Sequence, residues 1–506
     1  MYIYPNTDIR ILSGVPLNND YDNVMYFGTL TQQTNYFLGK TKYTLSNQSY
    51  QRKERGWLKV NVPQNNLWDC SYLMYRNTSF GTKWFYAFIL SVEYVNNETS
   101  LINFEIDVMQ TWFFDYTLEP CFVEREHSET DELFENTVEE HIDMGIEYNA
   151  QIRRKYDLTP NAVVAIELTD RYNVPITPTV QGNIISGLGY VTCRSNEYSQ
   201  FINHIKEFIT AGLQDNILAI FQVPDFMTRQ SPLATVIDDY YDEIYTPFTP
   251  NFVNVDGYIP KNKKLFCYPY NYMEVSDLRG GKRELKWEFW NANHVGEMHI
   301  RGCIFGKPTI MTFPDYYRDI SNDVENSICF DDFPTVSWVG DAYQVWLAQH
   351  TPDFVGKLIA NTLTAPLNPA DSISQIGGNI VNIITESLKM RRMPQTPHGS
   401  QNTEVISTQS NSLGFYYTQY TVRNEYARII DEYFSRFGYA CHRTKIPNRN
   451  ARQNWTYTKT VGCEINASIP VDDAVKIKQI YDHGVTFWNN PNNIGNFGDF
   501  TNPTYS

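Results

Sequence analysis

The amino-acid sequence predicts a β-rich α+β subunit that is divided into several domains. The first observation is a long hairpin pattern, in which the aromatic and β-branched run from Trp84 to Val95 meets a polar break at Asn96-Asn97-Glu98-Thr99. The second is composition, since 15% of the residues are aromatic, with 36 Tyr, and only 19% are charged. The third is length, because 506 residues are too many for one compact core.

A strict alternation follows the polar break and defines two faces of a second strand. The apolar positions are Ile102, Phe104, Ile106 and Val108, and the polar positions are Asn103, Glu105 and Asp107. Alternation with period two on both sides of a short turn is typical of an antiparallel hairpin with one buried face. Residues 1–150 are strand-like throughout and are interpreted as a β-rich N-terminal domain.

Residues 151–340 have a mixed α/β pattern. Val163-Val164-Ala165-Ile166 indicates a buried strand, and Gly280-Gly281 predicts the tight turn of a hairpin between Asp277 and Phe289. A helix is predicted from apolar residues at helical spacing, namely Phe201, Ile205, Phe208, Ile209 and Leu213. A second helix is expected to begin near Asp341 and to continue to Gln349.

Residues 341–400 contain a nearly uncharged stretch, in which only Asp371 is charged between Lys357 and Glu386. Two apolar helical patterns flank a break with Pro366 and Pro369, which predicts a helical hairpin. Its apolar and small residues are Phe354, Val355, Leu358, Ile359, Leu363, Ile373, Ile376, Gly377, Gly378, Ile380, Ile383, Ile384 and Leu388. From the pattern alone, an ordinary buried core is the preferred interpretation. The small and polar residues among them favour the alternative, a segment that enters a bilayer interface.

Residues 401–506 are interpreted as a C-terminal domain. A strongly amphipathic helix is predicted up to Phe437 and is stopped by Gly438. Its apolar positions are Tyr426, Ile429, Ile430, Tyr433, Phe434 and Phe437. A β-like stretch follows from Trp455 to Ile469, and residues 490–506 resemble a loose tail.

Composition excludes several classes of protein. The chain has 41 basic and 57 acidic residues and a net charge of −16, which argues against binding to nucleic acid or anionic lipid through bulk charge. Eight Cys are scattered singly, so we expect free thiols and neither a metal site nor a cofactor. We also expect no secretory signal in MYIYPNTDIR and no permanent transmembrane span, because no run of eighteen apolar residues occurs.

Four groups of residues have a chemical interpretation and a structural one. Glu105 and Asp107, roughly 7 Å apart on one strand face, have the spacing of paired glycosidase carboxylates, but a solvated or subunit-facing strand is preferred. The run Glu124-Arg125-Glu126-His127 contains the residue types of a general acid and a base, but a charged strand end is the preferred interpretation. Cys441 and His442 are adjacent on a strand and therefore cannot form a dyad.

The fourth group is basic and consists of Arg443, Lys445, Arg449 and Arg452, with Trp455 nearby. A site for nucleic acid is one interpretation, but the acidic balance of the chain disfavours it. No phosphate-binding loop or hydrolase motif is present. We therefore predict no catalytic, cofactor-binding or metal-binding residue.

Several stretches resemble the tail knob protein, the distal tail tube subunit, of small short-tailed phages of the picovirus type. They are ILSGVPLNNDYDNVMYF, LINFEIDVMQTWFFDY with FVEREH, EYARIIDEYFSRFGYACHRTKIPNRNARQNWTY, and IYDHGVTFWNNPNNIGNF. The hairpin at Arg279-Gly280-Gly281 is similar too. The resemblance is strong near both ends and weak from residue 150 to 265.

The resemblance implies a homohexameric tube of tail-tube-like β-barrel or sandwich domains at the tip of the virion tail. It implies a lumen that conducts double-stranded DNA without specific binding, contacts with other tail proteins (the collar or tube above and tip or lysis proteins), and assembly in the host bacterial cytoplasm. It also implies an apolar loop that plugs the lumen and transiently penetrates the host membrane. Residues 354–393 occupy the matching position. The insert here is shorter and less apolar than the best-known pattern, so the resemblance supports plugging more than pore formation.

The sequence therefore predicts a structural phage protein that is not an enzyme. Two alternatives belong to other classes: a wall-degrading hydrolase that uses Glu105 and Asp107 or Glu124, and an adhesin whose aromatic middle region binds a surface glycan.

Overall fold

A computed structural model describes most of the chain. The described residues are 6–48, 56–77, 81–142, 147–158, 162–168, 179–181, 184–186, 188–194, 198–210, 216–228, 233–236, 241–304, 307–331, 333, 338–339, 397–398, 414–498 and 501–505. They form two compact units. Unit 1 comprises residues 1–147, 253–270 and 422–506, and unit 2 comprises residues 148–252 and 271–421.

Unit 1 is made of strands with four α-helices among its described residues. Its strands are β1 Thr7–Leu12, β2 Asn23–Met25, β3 Thr41–Gln48, β4 Gly56–Val60, β5 Tyr72–Asn77, β6 Phe85–Asn96, β7 Thr99–Ile106, β8 Tyr116–Leu118, β9 Cys121–Glu126, β26 Tyr439–Lys445, β27 Trp455–Val461, β28 Ile465–Ala467 and β29 Val485–Trp488. Its helices are α1 Leu30–Gly39, α2 Val108–Trp112, α4 Asn424–Phe437 and α5 Val471–His483.

The N-terminal sheet of unit 1 has six antiparallel strands in the order β3-β1-β5-β6-β7-β4. Buried residues alternate along β4 and β7, as strands that pack one face against a core require. Helix α1 contributes Phe37, whose ring centroid lies 4.5 Å from that of Tyr86 and 5.4 Å from that of Tyr72. The N-cap residue Thr29 accepts a hydrogen bond from Gln32 N and thereby fixes the start of this helix.

The predicted hairpin is confirmed by β6 and β7, which pair around a turn at Asn97-Glu98. Ile102, Phe104 and Ile106 are buried as the alternation predicts. Two bulges interrupt the pairing, one between Ile89 and Ser91 and one between Tyr94 and Asn96. The hairpin therefore supplies two inner strands of the six-stranded sheet.

The prediction that this strand continues through Asp107 and Val108 is wrong, because β7 ends at Ile106. Asp107 is instead the buried N-cap of α2 and accepts hydrogen bonds from Gln110 N at 3.0 Å and Tyr72 Oη at 2.7 Å. A carboxylate satisfies the free N–H groups of a helix start, which outweighs the alternating pattern here. Burial raises the pKa of Asp107 to about 6, although both hydrogen bonds oppose the shift.

The second sheet of unit 1 joins the two ends of the chain. Its strand order is β2-β29-β27-β9-β26, with β2 parallel to β29 and the other pairs antiparallel. Strands β8 and β28 form a separate pair. Trp455 and Trp488 are fully buried across β27 and β29, with ring centroids 5.3 Å apart. Residues near position 25 and residues near position 488 thus belong to one sheet.

The segment 253–270 is bound to α4 by Asp431, which is 0% exposed. The Asp431 carboxylate accepts hydrogen bonds from Tyr258 Oη, Lys261 N, and both the backbone N and the Nδ2 of Asn262, at 2.7–3.0 Å. Asp256 accepts a hydrogen bond from the first amide of the helix at 3.0 Å. It therefore serves as the cap that the preceding residue does not provide.

Unit 2 contains smaller sheets and one α-helix among its described residues. Its strands are β10 Tyr148–Asp157, β11 Ala162–Leu168, β12 Thr179–Gln181, β13 Ile184–Ser186, β14 Leu188–Arg194, β15 Ile217–Val223, β16 Leu233–Val236, β17 Tyr241–Tyr245, β18 Asn271–Ser276, β19 Lys282–Leu285, β20 Met298–Cys303, β21 Thr309–Pro314, β22 Ile328–Phe330, β23 Trp338–Val339, β24 Pro397–His398 and β25 Gly414–Val422. Helix α3 is Tyr198–Thr210.

Three four-stranded sheets organise unit 2, in the orders β10-β25-β18-β19, β15-β11-β14-β16 and β17-β20-β21-β22. Strand pairs β12-β13 and β23-β24 complete the described part. Tyr417 on β25 is fully buried, and its hydroxyl lies 3.1 Å from Thr246 Oγ1 and 2.6 Å from Thr312 Oγ1. This three-hydroxyl cluster ties the first of these sheets to the third.

Most predicted elements that fall on described residues are confirmed. They are the strand at Val163-Val164-Ala165-Ile166, the helix from Phe201 up to Thr210, the hairpin turn at Gly280-Gly281, helix α4, and the strands from Trp455 onward. The bounds predicted for the hairpin, Asp277 to Phe289, are wrong, because its strands β18 and β19 end at Ser276 and Leu285. Gly438 ends α4 with a φ of 64°, and a Cβ there would lie 2.3 Å from backbone atoms of Glu126. Helices α1, α2 and α5 were not predicted. Leu213 and the expected helix from Asp341 lie outside the described residues.

The tail at residues 490–506 is more ordered than predicted. Asn502 Oδ1 accepts hydrogen bonds from Asn454 N and Trp455 N at 3.0 and 3.1 Å. Asn502 Nδ2 donates to Trp455 O, and Thr504 forms an antiparallel bridge with Arg452. The polar composition that suggested a loose tail therefore serves side-chain hydrogen bonds to the chain at 452–455. The division into regions 1–150, 151–340, 341–400 and 401–506 stays a prediction.

Replacing Asp431 by Ala should destabilise unit 1 by at least about 3 kcal/mol, because four donors, two of them buried and two part-buried, would lose their acceptor. Urea unfolding followed by tryptophan fluorescence measures the effect. The control is Glu432→Ala on the exposed side of the same helix, where only a surface ion pair with Arg436 is lost. Equal stability losses in the two variants would show that the Asp431 hydrogen bonds do not hold the segment 253–270.

Replacing Asp107 by Asn should change how stability depends on pH. The folded-state pKa of about 6 lies above the ordinary value near 3.9, so the folded wild type binds a proton that the unfolded chain releases between these values. Its stability therefore falls as pH rises from about 4 to about 6, by roughly 2–3 kcal/mol from this group. The amide that replaces the carboxyl group in the variant does not titrate.

The free energy of unfolding of both proteins, measured in urea at pH 4.5 and pH 7, tests this expectation. The variant should gain stability relative to the wild type at the higher pH. Asp115→Asn, at an exposed position, controls for the removal of one negative charge. A difference between Asp107→Asn and wild type that is constant with pH would contradict the assignment.

Candidate functional site

The predicted plug residues lie outside the described residues. These are Phe354, Val355, Leu358, Ile359, Leu363, Ile373, Ile376, Gly377, Gly378, Ile380, Ile383, Ile384 and Leu388. The nearest described core positions are Phe333, with 0% exposure, and Phe415, with 1% exposure. Both belong to unit 2, so the predicted segment begins and returns within that unit.

Glu105 and Asp107 do not form a pair of reactive carboxylates. Glu105 is half-buried on β7 and accepts a hydrogen bond from Lys476 Nζ at 2.6 Å. Asp107 is 1% exposed and is occupied as the cap of α2. A glycosidase needs both carboxyl groups to reach one substrate. Because Asp107 is buried, the two carboxyl groups cannot reach one substrate.

The charged run from Glu124 to Glu126 is held in ion pairs on β9. The partners are Lys459 for Glu124, Glu140 for Arg125 and Lys445 for Glu126. Glu126 is 2% exposed, and it also accepts a hydrogen bond from Asn448 N at 3.2 Å. The run is therefore structural, as the preferred interpretation predicts.

His127 is a buried, neutral histidine. Its Nδ1 accepts a hydrogen bond from Tyr457 N at 2.8 Å, so its Nε2 carries the proton and donates to Ser435 O at 3.1 Å. Burial, together with the charge of Arg452, lowers the pKa of His127 to about 3. Both ring nitrogens serve the fold, and His127 cannot act as a general acid near neutral pH.

Cys441 and His442 form no dyad, although the strand that carries them is irregular. The pairing of β26 with β9 shifts between Ala440 and Arg443, and His442 has a φ of 46°. The His442 ring stacks on Phe122, with centroids 6.3 Å apart. Burial raises the pKa of the Cys441 thiol, which disfavours the nucleophilic thiolate.

Three of the four residues in the predicted basic cluster are engaged within unit 1. Lys445 pairs with Glu126, and the Arg449 guanidinium lies 5.0 Å from the Phe113 ring centroid. Arg452 is 4% exposed. Only Arg443 among the four is exposed. The cluster therefore offers no continuous basic surface to a polyanion.

A cavity of about 170 Å³ lies beside this cluster, and sequence reasoning did not find it. Its walls include His127, Lys261, Ser435, Arg452, Trp455 and Phe497. These residues come from four separate stretches of the chain, which folding brings together in unit 1. The proximity of Arg452 and Trp455 in the sequence is the one signal of it, and from the sequence that signal supports only a disfavoured interpretation, a site for nucleic acid.

Several large apolar side chains are exposed in the described part of the chain. Trp68 is 84% exposed, Val471 80%, Ile259 72% and Val253 69%. All four belong to unit 1. An isolated exposed apolar residue is ordinary, but a tryptophan at this exposure is typical of surfaces that a partner covers.

Within the described residues, no group of His, Cys, Asp and Glu side chains could hold a metal ion. In the same part of the chain, no helix combines the length and the apolar character needed to cross a membrane.

Two family models match the chain. The model of the Bacillus phage phi29 tail knob protein gp9, C-terminal domain, matches residues 226–501. The model of the caudoviral major tail protein N-terminus matches residues 5–117. The first match alone covers more than half of the sequence and includes α4, the second sheet from β26 onward and the segment 253–270.

Individual proteins agree with the family models. The tail knob protein gp9 of Bacillus phage phi29 is 24% identical over 97% of this chain and 98% of its own length. The tail knob protein gp9 of Bacillus phage B103 is 23% identical over 95% of this chain and 96% of its own length. The alignment with the phi29 protein is 588 residues long, so that protein carries insertions relative to this chain of 506 residues.

A solved structure supports the same fold. The tail knob protein gp12 of bacteriophage C1 superposes with a TM-score of 0.61 and 12% identity over 97% of this chain and 98% of that one. The β-rich architecture with several sheets and few helices is thus the tail knob fold. Together with the family match over more than half of the sequence, this places the chain in the family of phage tail knob proteins, which are structural components of the virion.

Proposed function

We propose that six copies of this chain form the distal tube of a short phage tail, through which double-stranded DNA leaves the particle. The observation that carries the proposal is the coverage of its relatives: the chain aligns with 98% of the length of a tail knob protein. The proposed subunit is assembled in the host cytoplasm and contacts other tail proteins. It has no enzymatic role.

The surface of unit 1 supports a role as a repeated subunit. Trp68 and Val471 are exposed by 84% and 80%, and each would gain stability from cover by a neighbouring copy. The charge of the chain supports passage of DNA. The net charge is −16, and the basic residues Lys445, Arg449 and Arg452 are engaged internally. A subunit with a net negative charge does not retain a polyanion through bulk charge.

The nearly uncharged segment 354–393 is proposed as the plug of the lumen and as the part that enters the host membrane. Its apolar stripe is spaced by threes and fours, and it lacks charges between Lys357 and Glu386 except Asp371. A helix of this composition enters a bilayer interface at modest cost. This role also requires that the segment can leave the tube without unfolding the rest of the chain.

Projection images of the purified protein should show six-fold rings with a central channel. Light scattering after size-exclusion chromatography gives the mass of the same particles in solution. Rings with another symmetry, or monomers at all concentrations, would refute the hexameric tube. This test does not depend on the membrane role.

Deleting residues 356–392 should leave the rings intact but abolish dye leakage from liposomes treated with the protein. The reason is that the deletion removes the apolar stripe and leaves both flanking core positions in place. The same variant should show a lumen without the central density of the plug. Leakage should be scored at neutral and acidic pH.

A matched pair of substitutions separates apolar character from length. Replacing Ile376, Ile380 and Ile383 together by Asn should suppress leakage, whereas replacing Ser374 by Asn on the opposite side of the predicted helix should not. Rings that never permeabilise liposomes at either pH would eliminate the membrane role and leave the plug.

A further inference from the structure

We infer that the cavity beside Arg452 binds a small organic oxyanion, a carboxylate or phosphate attached to a ring-sized apolar body. The cavity lies within unit 1 and has a volume of about 170 Å³. For comparison, an engineered apolar cavity of roughly 150 Å³ holds a benzene molecule. The space is therefore sufficient for one six-membered ring.

Arg452 supplies the first reason for an anion. It is 4% exposed, and its Nε–H has no hydrogen-bond acceptor among the described residues. Its other contacts are long: Nη1 to Asn502 O at 3.4 Å, Nη2 to Tyr439 Oη at 3.5 Å, and Nη2 to Asp131 Oδ2 at 3.8 Å. A buried guanidinium has five N–H donors and binds oxyanions in bidentate fashion. Arg452 lines the cavity, and an oxyanion there would give its Nη groups a closer acceptor than these long contacts provide.

The charge balance of the wall supplies the second reason. Lys261 also lines the cavity, and its ammonium forms no ion pair with any described carboxylate. Asp131 compensates part of the charge of Arg452, but it does not line the cavity. None of the described lining residues is acidic. His127 adds no charge, because its two nitrogens are committed to Tyr457 N and Ser435 O. The wall therefore has a positive potential.

The aromatic wall specifies the rest of the ligand. Trp455 and Phe497 both line the cavity and meet edge to face, with ring centroids 5.3 Å apart. The Trp455 N–H is already donated to Ser435 O at 2.8 Å, so these two rings offer apolar contact. The Ser435 hydroxyl accepts a hydrogen bond from Asn262 Nδ2, which leaves its own proton for an acceptor. The cavity thus combines anion-binding groups with ring-binding groups.

Isothermal titration of the full-length protein tests this site with phenyl phosphate and benzoate as probes. Phenyl phosphate should bind with one saturable site per chain, and inorganic phosphate and phenol should each bind at least about tenfold more weakly, since each lacks one half of the ligand. Comparison of phenyl phosphate with benzoate distinguishes a phosphate from a carboxylate head. Absence of saturable binding by both probes would overturn the proposal.

Two exposed lysines provide the matched variants. Lys261→Ala should weaken binding by roughly threefold to tenfold, because it removes one of the two cations of the wall. Lys263→Ala should leave the affinity unchanged, since Lys263 instead pairs with Glu132 at 3.3 Å. Thermal unfolding of each variant verifies the fold. Binding that both variants retain equally would place the ligand elsewhere and overturn the proposal. The binding experiment does not depend on whether the protein assembles into hexameric rings.

Discussion

The burial of Asp431 is the constraint on which the assembly of unit 1 depends. A carboxyl group with 0% exposure is tolerable only if hydrogen-bond donors surround it, and here all four donors come from the segment 253–270. That segment belongs to unit 1, although the chain on either side of it belongs to unit 2. The hydrogen bonds of Asp431 therefore hold this segment against α4, between two parts of the chain that belong to unit 2.

This interlaced connectivity explains where the family resemblance is strongest. Unit 1 is built from both ends of the chain, and β2 pairs with β29 although more than 400 residues separate them in sequence. The motifs around Ile11–Phe27, the hairpin, α4 and β29 all fall in unit 1. The hairpin at Arg279-Gly280-Gly281 is the exception and lies in unit 2. A resemblance that looked like two separate regions of sequence is thus largely one folded unit.

The sequence predicted elements whose local pattern agrees with their packing. The hairpin and α4 are examples, since each has one apolar face with regular spacing and a polar or glycine stop. Helix α5 escaped prediction because its burial pattern is inverted at three positions: Asp473 is buried and accepts a hydrogen bond from Trp112 Nε1, whereas Val471 and Val475 are exposed. Helix α1 is mostly polar and is held by Phe37, which a single sequence does not distinguish from a strand residue.

The same explanation holds for which candidate site residues could be placed correctly from the sequence. Charged residues were identified correctly as structural when they lay on one strand, as Glu124 does, because the local pattern contains the relevant information. Asp107 was misplaced because its partner Tyr72 is 35 residues away in sequence. The cavity was missed because its lining residues are even farther apart in sequence: Lys261, Ser435 and Phe497 come together only through the packing of unit 1. Contacts between such distant residues are set by tertiary structure and produce no periodic pattern in the sequence.

The described residues on both sides of the predicted plug are anchored in unit 2. Ile328, Phe330 and Phe333 are buried on the N-terminal side, and Phe415 on β25 is buried on the C-terminal side. β25 is an inner strand of its sheet, paired with β10 on one side and β18 on the other. β22 pairs with β21, so the strands that hold the two flanks lie outside the predicted plug. The packing of the described flanks is therefore compatible with the proposed release of the plug.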